Sequence, residues 1–313
     1  MVDNLHILYG LKPKHQVRES IEILGTSTQY VFKIENHKRK KRIVKISTIE
    51  NGSAAYEYEM YRLLQPTQLP TPIVREFLEN QTHQALVLEE LKKTPTLDEI
   101  ISRASSTFLR SFGISESTFH SQNHISVIAQ MHNILDSIKE EYLRRNLQCP
   151  TQYHFLDVED IKNAYSSAFE SKDMIEIYKK VLNYEREEQQ KQQKLVHGDP
   201  KFSNFIGLGE TTTIFDFERI NWGSRYVDLG RFFTPQIDII SLSRRYYEKA
   251  LHNTDKPDRI RKGIQLFSLL HHLSHLPFME EQNSKSINRH ISNTQQIYSM
   301  IQNNNALSFL RNE

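Results

Sequence analysis

The chain has 313 residues, enough to bury a sizeable core and to form two lobes of one catalytic unit. Charged residues make up 25% of it and hydrophobic residues 38%, the balance of an ordered globular protein rather than a disordered one. The net charge of +2, from 40 basic and 38 acidic residues, gives no field that argues for binding to nucleic acid or to a membrane surface.

The single cysteine, Cys149, excludes a disulfide within the chain and favours a reducing compartment. Residues 1–16 contain no apolar core of signal-peptide length, and no apolar run approaches the length of a membrane span. We therefore expect a soluble, cytoplasmic protein with neither nucleic acid nor membrane as partner. The sequence predicts no particular oligomeric state.

The first part of the chain predicts a small sheet with one inserted helix. Residues 21–47 contain three apolar stretches, which we interpret as three strands. Apolar side chains at helical spacing follow at 54–64, and a group of prolines ends this helix. Residues 73–78 and 85–88 indicate two further strands. Five strands and one helix are typical of the smaller lobe of a kinase-like fold.

Helical spacing dominates from residue 96 onward. Eight helices are predicted, at 97–109, 116–146, 158–170, 174–194, 226–233, 237–252, 257–275 and 284–303. The end of the fourth, 185–194, is almost wholly polar, which indicates a solvated helix rather than a linker.

One segment in the middle of the chain, residues 195–216, carries most of the chemical information, and we call it the central segment. Leu195–Val196 reads as a short apolar strand, Asp199 and Asn204 lie in the following loop, and a hairpin over 205–215 leads to Asp216. Phosphoryl transfer needs this set, because one carboxylate accepts the proton of the attacking hydroxyl while an amide and a second carboxylate hold Mg²⁺. Asp and Asn are also common in ordinary turns, and for Asp199 alone that interpretation stays open.

The run His197–Asp199, followed by Asn204 and by Asp216 at the end of the next strand, resembles the signature of the aminoglycoside phosphotransferase and choline kinase superfamily. This resemblance implies an α+β, bilobal, protein-kinase-like fold. A β-rich, nucleotide-binding lobe would occupy 1–91, and a mostly helical catalytic and substrate-binding lobe 92–313. The implied reaction moves the γ-phosphate of ATP, with Mg²⁺, to a hydroxyl of a small molecule of aminoglycoside, amino alcohol or sugar type.

The resemblance assigns roles within the central segment. Asp199 would be the base, and Asn204 and Asp216 the metal ligands. Lys201 lies two residues after the base, as the phosphate-contacting lysine does in serine/threonine protein kinases, and we hypothesise that it stabilises charge on the transferred group. A solvated loop lysine is the alternative.

The resemblance also assigns a nucleotide site in the first lobe. Gly25 and Ser27 match the loop that covers the phosphates, although, taken alone, a plain hairpin turn explains them better. Lys45 would contact the α- and β-phosphates and pair with a glutamate of the following helix. Glu57 is the favoured partner and Glu59 the alternative, because the two lie on different faces of that helix.

Further positions carry supporting roles by resemblance. The backbone carbonyl of Glu89 and the amide of Leu91 would bind adenine, the alternative being an edge strand entering a loop. Asp228 would brace the catalytic loop through its backbone, although a helix N-cap is an equal interpretation. His197 is expected to be a structural hydrogen-bonding residue, and His132 to pack at the edge of the core.

Two other functions remain open. One is a catalytically silent nucleotide-binding protein, and the other a serine/threonine protein kinase, for which Lys201 is a hint. The missing G-x-G-x-x-G, and Glu218 where protein kinases have glycine, count against the second.

The C-terminal part also contains a group of histidines. His271 and His275 have the i, i+4 spacing of zinc ligands, and His272 lies beside them. No Glu, Asp or Cys completes a ligand set, and we therefore expect these side chains to pack between helices.

Overall fold

The computed structural model describes residues 21–25, 30–35, 41–67, 69, 71–89, 116–150, 155–165, 172–200, 204–206, 213–233, 235, 238–251, 254–275 and 284–311. Over these residues the fold mixes helix and strand, with a small antiparallel sheet in the N-terminal lobe and a helical C-terminal lobe. The helix predicted at 97–109 lies outside them.

The N-terminal lobe is built on the five predicted strands. They are β1 (Ile21–Gly25), β2 (Tyr30–Glu35), β3 (Lys41–Thr48), β4 (Val74–Glu79) and β5 (His83–Glu89). The sheet order is β1-β2-β3-β5-β4, and every neighbouring pair is antiparallel. The predicted helix is α1, Ser53–Leu64, which begins after Gly52, a glycine at φ 64 that turns the chain out of β3.

The C-terminal lobe consists mainly of helices. They are α2 (Glu116–Arg144), α3 (Val158–Tyr165), α4 (Lys172–Lys191), α5 (Arg225–Phe232), α6 (Ile239–Lys249), α7 (Pro257–His275) and α8 (Ser284–Asn303). Helix α7 is central, because it contacts α4, α5, α6 and α8 and buries an almost continuous apolar surface. No helix in the described part of the chain has the length and apolar character needed to cross a bilayer.

The end of α4 corrects one prediction. The helix stops at Lys191 rather than at Lys194, because Gln192 adopts a left-handed backbone at φ 50. Glu185, predicted to be solvated, is 1% exposed. Its carboxylate accepts a hydrogen bond from the backbone N–H of Ser224 at 3.1 Å, which gives this buried polar group its partner.

Two short strand pairs contain or border the central segment. Strand β6 (Leu195–Val196) pairs with β9 (Asn221–Trp222), which the sequence analysis did not predict. The predicted hairpin is present as β7 (Phe205–Ile206) paired with β8 (Thr213–Ile214). Both pairs are antiparallel, and together they position the loops that carry Asp199 and Asp216.

Helices α5 and α7 approach closely at Gly230. A Cβ atom there would lie 2.6 Å from the carbonyl carbon of Phe267 and 2.7 Å from the backbone nitrogen of Ser268. Backbone atoms cannot yield as a flexible side chain would. Gly230→Ala should therefore force the helices apart and lower the free energy of unfolding by about 1–3 kcal/mol, measured by urea unfolding.

The exposed α8 residue Gln295 provides the control for this prediction. Gln295→Ala should change the free energy of unfolding by less than about 0.5 kcal/mol. Equal stability of Gly230→Ala and the unmodified protein would contradict the close packing described here.

Candidate active site

A buried ion pair joins β3 to α1. The Lys45 ammonium donates to both carboxylate oxygens of Glu57, at 2.8 and 2.9 Å, and both side chains are almost fully buried. Glu59, the alternative partner, instead pairs with Arg62 and Arg145. Burial alone would lower the pKa of Lys45, but its carboxylate neighbours raise that pKa above the usual value, so the ammonium stays charged.

Lys45 also reaches the second lobe. Its ammonium lies 2.6 Å from Oδ1 of Asp216, the residue that follows the β7–β8 hairpin. Asp216 has a left-handed backbone at φ 70, a conformation uncommon outside glycine and associated with functional sites. The ring of the next residue, Phe217, is fully buried and packs edge-on against Tyr61 of α1, which holds this turn in place.

Asn204 links the two aspartates. Its amide nitrogen Nδ2 donates to the backbone carbonyl of Asp199 at 2.9 Å and to Oδ2 of Asp216 at 3.3 Å. The backbone N–H of Phe215 donates to the carbonyl of Asn204, which fixes the amide relative to the hairpin. The Asn204 side chain therefore connects the backbone of Asp199 to the carboxylate of Asp216.

The Asp199 carboxylate is 8% exposed and has a cationic neighbour. Its Oδ1 accepts a hydrogen bond from Nη2 of Arg231 at 3.1 Å. Arg231 lies on α5, three residues after Asp228, so that both side chains project from the same side of that helix.

Asp228 is fully buried beneath the loop that carries Asp199. Its carboxylate accepts from the backbone N–H groups of His197 at 2.8 Å and Gly198 at 2.9 Å, and it contacts Nε2 of His132 at 2.9 Å. Burial alone would raise the pKa of Asp228, but the hydrogen bonds from His132 and from the backbone N–H of His197 lower it below the usual value. Ser224 caps α5, so the helix N-cap interpretation of Asp228 is wrong.

The remaining predicted residues are placed less completely. Gly25 ends β1, and Glu89 ends β5 with its side chain paired to Arg75. Ser27, Leu91 and Lys201 lie outside the described residues.

A model of the phosphotransferase enzyme family matches residues 21–261. The chain belongs to this family. A search of curated proteins gives no match.

Solved structures of other proteins share the fold of this phosphotransferase. APH(2")-IIia, in complex with GDP and kanamycin, superposes with a TM-score of 0.61 at 11% identity, over 96% of this chain and 99% of that one. A choline/ethanolamine kinase family protein from Mesorhizobium loti superposes with a TM-score of 0.58 at 13% identity, over 100% of this chain and 99% of that one. An amicoumacin kinase in complex with AMP-PNP and Ca²⁺ superposes with a TM-score of 0.58 at 14% identity, over 93% of this chain and 92% of that one. The predicted α+β, protein-kinase-like fold is thereby confirmed.

Two residues of the phosphotransferase site were missed or misjudged from the sequence. His132, expected to pack at the core edge, is fully buried and bridges Asp228 to the hydroxyl of Tyr246, at 2.7 Å from its Nδ1. Arg231 received no role, although its spacing from Asp228 on one helix is a signal that a search for polar neighbours would have detected.

The histidines of α7 pack between helices, as predicted. His271 contacts the backbone carbonyl of Val227 through Nε2 at 2.7 Å, and the ring of His272 lies 4.5 Å from that of His290 on α8. Within the described residues, no group of three or more His, Cys, Asp or Glu side chains is arranged to hold a metal ion.

Burial also makes stability depend on pH through these histidines. Burial, followed by the charge of Arg231, lowers the pKa of His271 from 6.5 to about 3. The unfolded chain therefore binds a proton that the folded protein does not, and the free energy of unfolding falls as pH drops below 6.5. His271→Gln should reduce the loss between pH 7 and pH 5 by about 1–2 kcal/mol, measured by urea unfolding at both values. The same loss in both proteins would contradict a neutral, buried His271.

Proposed function

We propose that this phosphotransferase moves the γ-phosphate of ATP to a hydroxyl group of a small molecule of aminoglycoside, amino alcohol or sugar type. The observation that carries the proposal is a continuous series of contacts. It runs from Lys45 to Asp216, then through Asn204 to Asp199. One end has the charge needed for a triphosphate, and the other has a carboxylate next to where a hydroxyl would attack.

Lys45 and its neighbours would bind the nucleotide. The ammonium, held by Glu57, would contact the α- and β-phosphates. Gly25 and Ser27 would cover the phosphates with backbone and hydroxyl donors, and the backbone of Glu89 and Leu91 would bind adenine. The lobes of 1–91 and 92–313 would then meet at this nucleotide.

The donor set at Asn204 and Asp216 fits magnesium. Mg²⁺ takes oxygen ligands and is commonly held by one or two protein side chains together with substrate phosphates. The Asp216 carboxylate and the Oδ1 atom of Asn204 would be the protein ligands, Nδ2 being engaged with Asp199 and Asp216. When bound, the ion neutralises charge on the triphosphate.

Asp199 would act at the hydroxyl. The acceptor oxygen forms a bond to the γ-phosphorus, the bond from that phosphorus to the bridging oxygen of ADP breaks, and the hydroxyl proton passes to the Asp199 carboxylate. Asp228 would keep the loop in place through the N–H groups of His197 and Gly198. Lys201 would stabilise the transferred group.

The cellular setting is part of the proposal. Cys149 is buried, with its Sγ donating to the carbonyl of Glu218 at 3.2 Å, and it is the only cysteine of the chain. A chain without a disulfide suits a reducing compartment, and we propose the cytoplasm.

Asp199→Asn tests the proposal most directly. Labelled ATP with Mg²⁺ should transfer phosphate to members of a panel of amino sugars, sugars and amino alcohols. Because the amide cannot accept the proton, the rate in the variant should fall by about 10²–10⁴. Nucleotide affinity, measured by calorimetry, should change little, since Asp199 faces the acceptor rather than the triphosphate.

Asp258→Asn is the matched control, because Asp258 pairs with Arg261 and Lys262 on the surface of α7. It should leave transfer unchanged. Nucleotide binding without transfer to any hydroxyl compound would favour a silent nucleotide-binding protein, and transfer only to polypeptides would favour a protein kinase. Either result contradicts the proposal.

A further inference from the structure

The contacts in the site have a direction. They begin at Lys45, which lies on β3 in the N-terminal lobe, and proceed through Asp216 and Asn204 to Asp199. Beyond Asp199 they continue to Arg231 on α5 in the C-terminal lobe. If Lys45 marks the triphosphate, Arg231 marks the opposite side of the base, where the acceptor must lie.

Arg231 has binding capacity that the described protein does not use. A guanidinium carries five N–H donors in a planar fork that matches carboxylate and phosphate groups. Within the described residues, the hydrogen bond from Nη2 to Asp199 is the one that this guanidinium makes. The Arg231 side chain is 28% exposed, and a molecule adjacent to Asp199 can therefore reach it.

Two described histidines, His275 and His290, have rings 6.2 Å apart. Burial lowers the pKa of both, and Arg231 lowers that of His275 further. These histidines are neutral at pH 7 and offer uncharged hydrogen-bonding nitrogens.

Two carboxylates of the described residues act on the histidines of α7: Asp228 on His271 and Asp199 on His275. Asp228 is occupied by backbone N–H groups and His132, and Asp199 is the proposed base. Among the described residues, both of these carboxylates therefore already have a role, whereas the Arg231 guanidinium has donors to offer to an anion.

We propose that the acceptor carries an anionic group, a carboxylate or a phosphate, which Arg231 binds beside Asp199. This rests on the proposed function and narrows it to sugars that carry a carboxylate or a phosphate. Arg231 thus selects the acceptor by charge and holds it beside the base.

Calorimetry with sugars of similar size but different charge tests this inference. The unmodified protein, with AMP-PNP and Mg²⁺, is titrated at constant ionic strength with glucuronate, glucose 6-phosphate, glucose and glucosamine. Glucuronate and glucose 6-phosphate distinguish a carboxylate from a phosphate as the anion. The affinity for at least one of them should exceed that for glucose by about tenfold, because a charge-assisted hydrogen bond contributes about that much. Glucosamine should bind most weakly.

Variants assign the effect to Arg231. Arg231→Gln should abolish the preference for the anion, and Arg231→Lys should retain part of it. Arg261→Gln, which removes a guanidinium paired with Asp258 on α7, should leave the preference unchanged. Survival of the preference in Arg231→Gln, tighter binding of glucosamine, or no binding of either anion would overturn the inference.

Nucleotide binding separates this inference from the proposed function. Should AMP-PNP bind, and the amino sugar rather than the acidic sugar accept phosphate, the inference fails while the proposed function stands. Should AMP-PNP fail to bind the unmodified protein, the proposed function fails. The titrations repeated without nucleotide then still decide whether Arg231 binds anions.

Discussion

The ammonium of Lys45 is shared by two carboxylates from distant parts of the chain, Glu57 on α1 and Asp216 after β8. A buried cation is costly unless it is paired, and this one is paired on both sides. The result is a direct electrostatic link between the sheet of the first lobe and the hairpin of the second. Because Asp216 also contacts Asn204, whose amide donates to the backbone carbonyl of Asp199, the position of Lys45 is connected to the loop that carries Asp199.

Asp228 is a second buried charge, and it holds the loop that carries Asp199. Its buried carboxylate accepts two backbone N–H groups and a histidine contact, so that each oxygen has a protein partner. Such a fully satisfied buried group fixes geometry well, because any movement of the loop leaves a charge unpaired. The loop that presents Asp199 is thereby held from below, by α5 and α2, while Asn204 and Asp216 hold it from the side.

The sequence predicts the parts of this site that depend on local pattern. Apolar stretches define the hairpin, which in turn brings Asn204 near Asp216, and the spacing on α1 selects Glu57 over Glu59. His132 escapes this kind of reasoning, since its partner Asp228 lies 96 residues away in sequence. The spacing of Arg231 from Asp228 is a local signal, but it does not reveal the contact of Arg231 with Asp199, 32 residues away. Glu185 was mispredicted for the same reason. It lies in a polar stretch that predicts exposure, but it is buried because it accepts a hydrogen bond from the backbone of Ser224, far along the chain. Long-range polar contacts follow from tertiary packing, which local periodicity does not encode.

The central claim is that Asn204 and Asp216 form one side of a metal-bound triphosphate site that Lys45 completes. Crystals grown with AMP-PNP and Mn²⁺, examined by anomalous diffraction, test it directly because Mn²⁺ substitutes for Mg²⁺ and identifies its own position. The account predicts an anomalous peak bound to Oδ1 of Asn204, the Asp216 carboxylate and the nucleotide phosphates, with Lys45 contacting the same phosphates. A nucleotide bound away from Lys45, or a peak on other residues, would contradict it.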